Sequence, residues 1–249
     1  MSSENNDVRL RGHRPRLQEA WPLGEFPNEI IKGLGKQIVH RMCVGQSDIT
    51  GDDFGTIYAD AIGGNHRESP LGIADVVLEG NAWSVKTVKS AVPFTQQTVR
   101  LISGRISPDY SLGIENPHSN ISDTGKAILA VWNARVNESL GEHDDLRIVV
   151  LIRNFESKTF VVFEETAQRY AATDYRWEKN KNNNFMGYEI ATGEHKFTWQ
   201  PHGGQFTVLR HVPGCAIKFK IVKNPPMLEQ VQILKQIGYS DDWIEIVAS

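Results

Sequence analysis

The 249-residue sequence predicts an α/β (α+β) fold, a mixed β-sheet flanked by helices with additional β-strands in the C-terminal half. Three observations predict it. Residues 27–42 open with Pro27 and repeat Ile30, Ile31, Leu34, Ile38, Val39 and Met42 at three- and four-residue spacings, the pattern of an amphipathic helix. Residues 72–89, GIADVVLEGNAWSVKTVK, place two short apolar runs around Glu-Gly-Asn-Ala, which is a hairpin signal. Residues 146–152, LRIVVLI, form the near-continuous apolar run of a strand buried on both faces.

The remaining elements follow in chain order. Arg9, Arg11, Arg14 and Arg16 make residues 1–20 a flexible basic arm suited to neutralising phosphates. Residues 45–70 contain GDDFG, an apolar stretch from Ile57 to Ile62, and GGNHRESP, read as a loop leading into the hairpin. After the hairpin, Ser90 as cap and Pro93 in the first turn predict a helix through Thr98, Val99 and Ile102 to Gly104. Residues 105–125 form a long polar loop, and residues 126–140 a helix with Ile128, Leu129, Trp132 and Val136 on one face. Strands at 146–152 and 159–163 are joined by a turn at Glu156, Ser157 and Lys158, and further strands fall at 187–190, 196–199, 206–212 and 216–222. WEKNKNNN, residues 177–184, reads as a solvated loop, and Pro225 and Pro226 introduce a closing helix with Leu228, Val231 and Leu234 on one side. With no repeat and no linker, a single domain is expected over residues 1–249.

Composition narrows the function classes. A content of 40% hydrophobic and 23% charged residues is that of an ordinary folded protein. The formal net charge of −3 gives no global support for a nucleic-acid partner, so such a partner must be argued from a local site. Cys43 and Cys215 lie far apart without CxxC spacing, which points away from a disulfide framework or a zinc site. No apolar run approaches the roughly 18 residues of a membrane span, and the first residues are polar. A soluble cytoplasmic protein with no membrane partner is expected. P-loop, GxGxxG and GxSxG motifs and a zinc ligand set are missing, which disfavours a DNA-independent metabolic α/β enzyme.

The chemistry-bearing residues are concentrated in the hairpin. With Gly80 and Asn81 as turn residues, Glu79 faces Ala82, Asp75 stands opposite Lys86, and Val77 opposite Ser84. Side chains alternate with period two, so Asp75, Ser84 and Lys86 share one face. A cross-strand ion pair between Asp75 and Lys86 is the purely structural alternative. Asp75 followed across a turn by Ser84-Val85-Lys86 resembles the active-site hairpin of the PD-(D/E)XK nuclease superfamily, to which most type II restriction endonucleases belong. The order helix, acidic hairpin, helix, buried strand extends the resemblance.

The resemblance implies a restriction-endonuclease-like sheet and an Mg²⁺-dependent, sequence-specific endonuclease. Such an enzyme cuts double-stranded DNA to leave 5′-phosphate and 3′-hydroxyl ends, and a two-fold target site implies a homodimer. It makes Asp75 and the Val85 carbonyl metal ligands, and gives Lys86 the task of orienting the attacking water. Ser84 departs from the pattern, because the family places Glu or Asp there and a hydroxyl cannot supply the negative charge. No acid occurs between Lys86 and Asp109, and Glu79 is four residues along the strand from Asp75, roughly 13 Å away. Glu29 on the preceding helix is therefore the first candidate to complete the catalytic and metal site, followed by Glu68 and Asp60.

Candidate DNA contacts are Arg67 before the hairpin, Arg100 and Arg105 after it, Asp109, Tyr110, Asn116 and His118 in the long loop, and Asn133 and Arg135 near a helix. Arg pairs bidentately with guanine and Asn with adenine. Residues 176–184 and 200–205 are alternative contact loops. Two other functions stay open: a structure- or mismatch-specific repair nuclease of the same fold, and a noncatalytic DNA-binding protein that has lost the second carboxylate.

Overall fold

The computed structural model describes residues 20–67 and 71–247. The fold is mixed α+β, with five helices and two sheets. The arginine-rich arm lies outside the described residues except for Ala20. The elements in order are α1 (Asn28–Cys43), α2 (Gly51–Ile62), β1 (Asn65–His66), β2 (Val76–Leu78), β3 (Asn81–Lys89), β4 (Thr98–Arg105), α3 (Pro108–Leu112), α4 (Ile121–Glu142), β5 (Asp145–Asn154), β6 (Thr159–Thr166), β7 (Tyr175–Lys179), β8 (Phe185–Glu189), β9 (His195–Gln200), β10 (Gln205–His211), β11 (Ile217–Lys220) and α5 (Gln230–Gln236). A six-stranded mixed sheet runs β1-β2-β3-β5-β6-β11, and a five-stranded antiparallel sheet runs β4-β10-β9-β8-β7.

Alternation along the central strands sorts the core into two layers. Trp83 and Val85 of β3, Val149 and Leu151 of β5, and Phe160 and Val162 of β6 pack against Ile30, Leu34 and Ile38 of α1 and Phe54, Ile57 and Tyr58 of α2. The intervening residues, Ala82, Ile148, Val150, Ile152, Val161 and Phe163, face the second sheet and α4 through Val99, Leu101, Phe197, Phe206, Ile128 and Trp132. Strand β5 therefore buries both faces, as its apolar run predicts. It lies parallel to β3, with Ser84 beside Ile148 and Lys86 beside Val150, and helix α4 precedes it in the crossover from β3.

Several expectations need correction. Within the segment 105–125 expected as a loop, residues 108–112 form α3 and residues 121–125 open α4. The segment from Thr98 to Gly104 is the strand β4, not a helix. Its exposure alternates, with Val99, Leu101 and Ser103 inward and Thr98, Arg100 and Ile102 outward, and this period-two pattern outweighs the helix-start signal of Ser90 and Pro93. Residues 51–62, which the sequence pattern leaves unassigned, form α2. Its N-terminus is fixed by a capping box in which the Thr50 hydroxyl accepts from the Asp53 N–H and the Asp53 carboxylate accepts from the Thr50 N–H. Finally, residues 177–179 extend β7, so that the polar turn is confined to residues 180–184.

No helix among the described residues is long and apolar enough to cross a membrane.

Candidate active site

The hairpin forms with a turn one residue earlier than the sequence suggests. Val76 pairs with Trp83, Val77 with Ala82 and Leu78 with Asn81, which leaves Glu79 and Gly80 as the turn. Both carry positive φ, 45° and 84°, as the mirror-image two-residue turn of a hairpin requires. Asn81 is instead a buried strand residue whose side-chain amide donates to the Leu78 carbonyl at 3.2 Å. Extending the register by one pair sets Asp75 opposite Ser84 rather than Lys86. The facing pair has shifted by two positions along β3, so parity is kept and Asp75, Ser84 and Lys86 still lie on one face.

These side chains meet at one oxygen. Asp75 Oδ2 accepts from the Val85 N–H at 2.7 Å, the Ser84 hydroxyl at 3.2 Å and the Lys86 ammonium at 3.3 Å. The Asp75 N–H donates to the Trp83 carbonyl at 2.9 Å, so the backbone ladder stops at this residue and its carboxylate takes over as acceptor for the next N–H of β3. The Lys86 ammonium also donates to the Val85 carbonyl at 3.1 Å. Ser84 is buried, whereas the side chains of Asp75 and Lys86 keep 27% and 19% of their surface exposed, so the pair remains open to solvent.

The expected completing carboxylates fall elsewhere. Glu29 on α1 and Asp60 on α2 are exposed, and both helices cover the Trp83 and Val85 face of the sheet, opposite to that of Ser84 and Lys86. Neither is brought to Asp75. Sequence periodicity placed Glu29 off the apolar stripe of its helix but carried no information on which face that helix covers. Glu68 lies outside the described residues. Glu138 and Glu142 of α4 lie on the Asp75 side of the sheet and were overlooked in reading the sequence. With Arg67, Gly72, Ala74 and Ser139 they line a cavity of about 360 Å³ reaching the residue before Asp75. Helix α4 is tied there by the Ser139 hydroxyl, which accepts from the Ile73 N–H at 2.8 Å. The signal in the sequence is the four-residue spacing of Glu138 and Glu142 on a helix that crosses over between the two central strands.

The proposed DNA contacts divide into engaged and free groups. Arg67 donates its backbone N–H to the Asp75 carbonyl at 2.8 Å and its guanidinium to Glu142 at 2.9 Å. Asn133 is fully used by the backbone of Tyr170, donating to its carbonyl and accepting from its N–H, each at 2.8 Å. Arg135 donates to the Arg105 carbonyl at 2.6 Å, and burial lowers its pKa from the ordinary value. Both side chains are thereby engaged with neighbouring backbone groups. Arg100 is exposed on β4 and donates to the Thr198 hydroxyl at 3.3 Å. Arg105 and Asp109 are exposed and Tyr110 is 93% exposed, beside a cleft formed with residues 114–117 and 201–204. Asn116 accepts the His118 N–H, closing the loop on itself.

Among the described residues, no group of three or more His, Cys, Asp or Glu side chains is placed to hold a metal ion. The donor set at the hairpin is instead one carboxylate and one peptide carbonyl. That set fits Mg²⁺, which takes one or two protein carboxylates and completes its shell with waters and phosphate oxygens. The Lys86 ammonium, held by both oxygens, shows that the geometry already accommodates a cation.

No protein-family model matches this chain, and no significant match is found among curated proteins or solved structures.

Proposed function

We propose that this chain is an Mg²⁺-dependent endonuclease of double-stranded DNA, of the type II restriction class, acting in the cytoplasm as a homodimer. The observation that carries the reading is the convergence of Asp75, the Val85 carbonyl and Lys86 on one edge of the hairpin. A divalent cation bound by Asp75 and the Val85 carbonyl would act as the Lewis acid that offsets charge building on the scissile phosphate. Asp75 is kept from rotating by the Val85 N–H and the Ser84 hydroxyl. Lys86 supplies a mobile positive charge for the phosphate and a donor that orients the attacking water. Ser84 therefore acts as a second-position donor to Asp75, where the resembled family has a carboxylate. Glu138 and Glu142 supply acidic groups on the same side of the sheet, with Arg67 balancing Glu142.

The test is digestion of plasmid DNA by the purified chain in Mg²⁺. Discrete, reproducible fragments that disappear with Asp75→Asn and Lys86→Ala support the reading, and equal cleavage by these variants overturns it. Preference for branched or mismatched duplexes would redirect it to a repair nuclease. A second reading, a DNA-binding protein without catalysis, is favoured by the single carboxylate at the hairpin. Tight duplex binding with no cleavage in either Mg²⁺ or Mn²⁺ would select it.

A further inference from the structure

We propose that Lys86 is the resident cation of the Asp75 and Val85 oxygen pair, and that a divalent ion binds this hairpin only by displacing the lysine ammonium. The inference deepens the nuclease reading, which supplies the purpose of the divalent ion. The competition itself rests on the geometry of the hairpin.

The Lys86 Nζ lies 3.3 Å from Asp75 Oδ2 and 3.1 Å from the Val85 oxygen. An ion bonding those same oxygens at about 2.0–2.1 Å would occupy the space between them and Nζ. Two positive charges there would repel, so occupancy by one excludes the other. The two oxygens differ from the lysine in mobility. The Val85 carbonyl belongs to β3, which at this residue is held by its parallel pairing with Val149 of β5. The Asp75 carboxylate is fixed by the Ser84 hydroxyl and the Val85 N–H. Lys86 alone carries its charge on a flexible four-carbon stem, and 19% of its side chain is exposed, which gives Nζ a path outward. The hairpin is thereby electrostatically satisfied without a metal, and its affinity for one is reduced by the fraction of time the ammonium holds the site.

The experiment measures Mn²⁺ binding to the full chain by calorimetry and by the electron paramagnetic resonance signal of free Mn²⁺, without DNA. Lys86→Met and Lys86→Gln should bind Mn²⁺ about tenfold more tightly than the parent, as expected if the ammonium occupies the pair about nine-tenths of the time. Asp75→Asn should abolish this binding. Thermal denaturation establishes that each variant is folded, and the glutamine variant provides the measurement if the methionine variant fails to fold. Mn²⁺ affinity in either folded Lys86 variant equal to or weaker than that of the parent overturns the proposal. The two readings fail separately. Tenfold tightening in a chain whose parent never cuts duplex DNA leaves the competition standing and removes the nuclease. Cleavage by the parent with unchanged Mn²⁺ affinity in the variants removes the competition and leaves the nuclease.

Discussion

Arg147 donates to Glu164 Oε1 at 2.7 Å with both side chains inside the core, 2% and 0% exposed. The pair sits on the α1 and α2 face of the central sheet and is satisfied almost completely. Arg147 also reaches Asp145 at 2.6 Å and the Trp21 carbonyl at 2.8 Å, while Glu164 accepts from the indole N–H groups of Trp21 and Trp83 at 2.8 and 3.1 Å. The network clamps the segment entering α1 onto β5 and β6. Glu164→Ala should destabilise the protein by about 3–5 kcal/mol, because it strands a buried guanidinium. The double variant Arg147→Met, Glu164→Met should lose much less than the sum of the singles. Urea denaturation of the parent, Glu164→Ala, the two methionine singles and the double variant checks both.

Glu79 tests the turn. A non-glycine residue at φ 45° is held in the left-handed region, which costs about 1–2 kcal/mol for an ordinary L side chain. Asn tolerates that region, so Glu79→Asn should raise stability by about 0.5–1 kcal/mol. A lower melting temperature in this variant would contradict the assigned turn.

Asn133 tests the division between bracing and DNA-contacting residues. Since its amide satisfies two backbone groups of Tyr170, Asn133→Ala should cost about 1–3 kcal/mol. On the proposed nuclease reading, its affinity for duplex DNA, measured well below its melting temperature, should match that of the parent, and Arg105→Ala should do the opposite, weakening that affinity with little change in stability.

The pH dependence follows from two imidazoles, buried His143 and partly buried His195. Burial lowers the pKa of His143 and of His195 below the ordinary 6.5, with nearby Arg67 and Arg100 respectively acting in the same direction. The unfolded chain therefore takes up these protons first as pH falls. The stabilisation is fully present above about pH 6.5 and is lost as pH drops through the lowered folded-state values. The urea midpoint should fall between about pH 7.5 and pH 5, and His143→Leu should flatten that decline.

The hairpin was legible because its information is local: alternation, a glycine in the turn, and two charges whose parity survives a shift of the register by two. Strands β5, β6, β8, β9, β10 and β11 were legible for the same reason, each being a short β-rich run between turn residues. What escaped was information held between layers. Nothing within residues 28–43 shows that α1 covers the Trp83 face, so Glu29 could be placed on a helix but not on a side of the sheet. Arg147 sits within an apolar run and its partner, Glu164, is on the neighbouring strand, so no local pattern pairs them. Strand β4 was obscured by a capping serine and proline that serve a short 3₁₀ turn, Pro93–Thr95, instead of a full helix.

The parallel pairing of β3 with β5 has a consequence during synthesis. Asp75 and Lys86 are close in the chain and can meet as soon as the hairpin leaves the ribosome, but the strand that backs Lys86 begins only at Asp145 and reaches it through α4. Non-local pairing of this kind forms later than a local hairpin. A nascent chain that ends before β5 carries the chemically important residues without the rigid floor that holds them in place. The geometry of the hairpin is therefore completed only once the second half of the chain has been made.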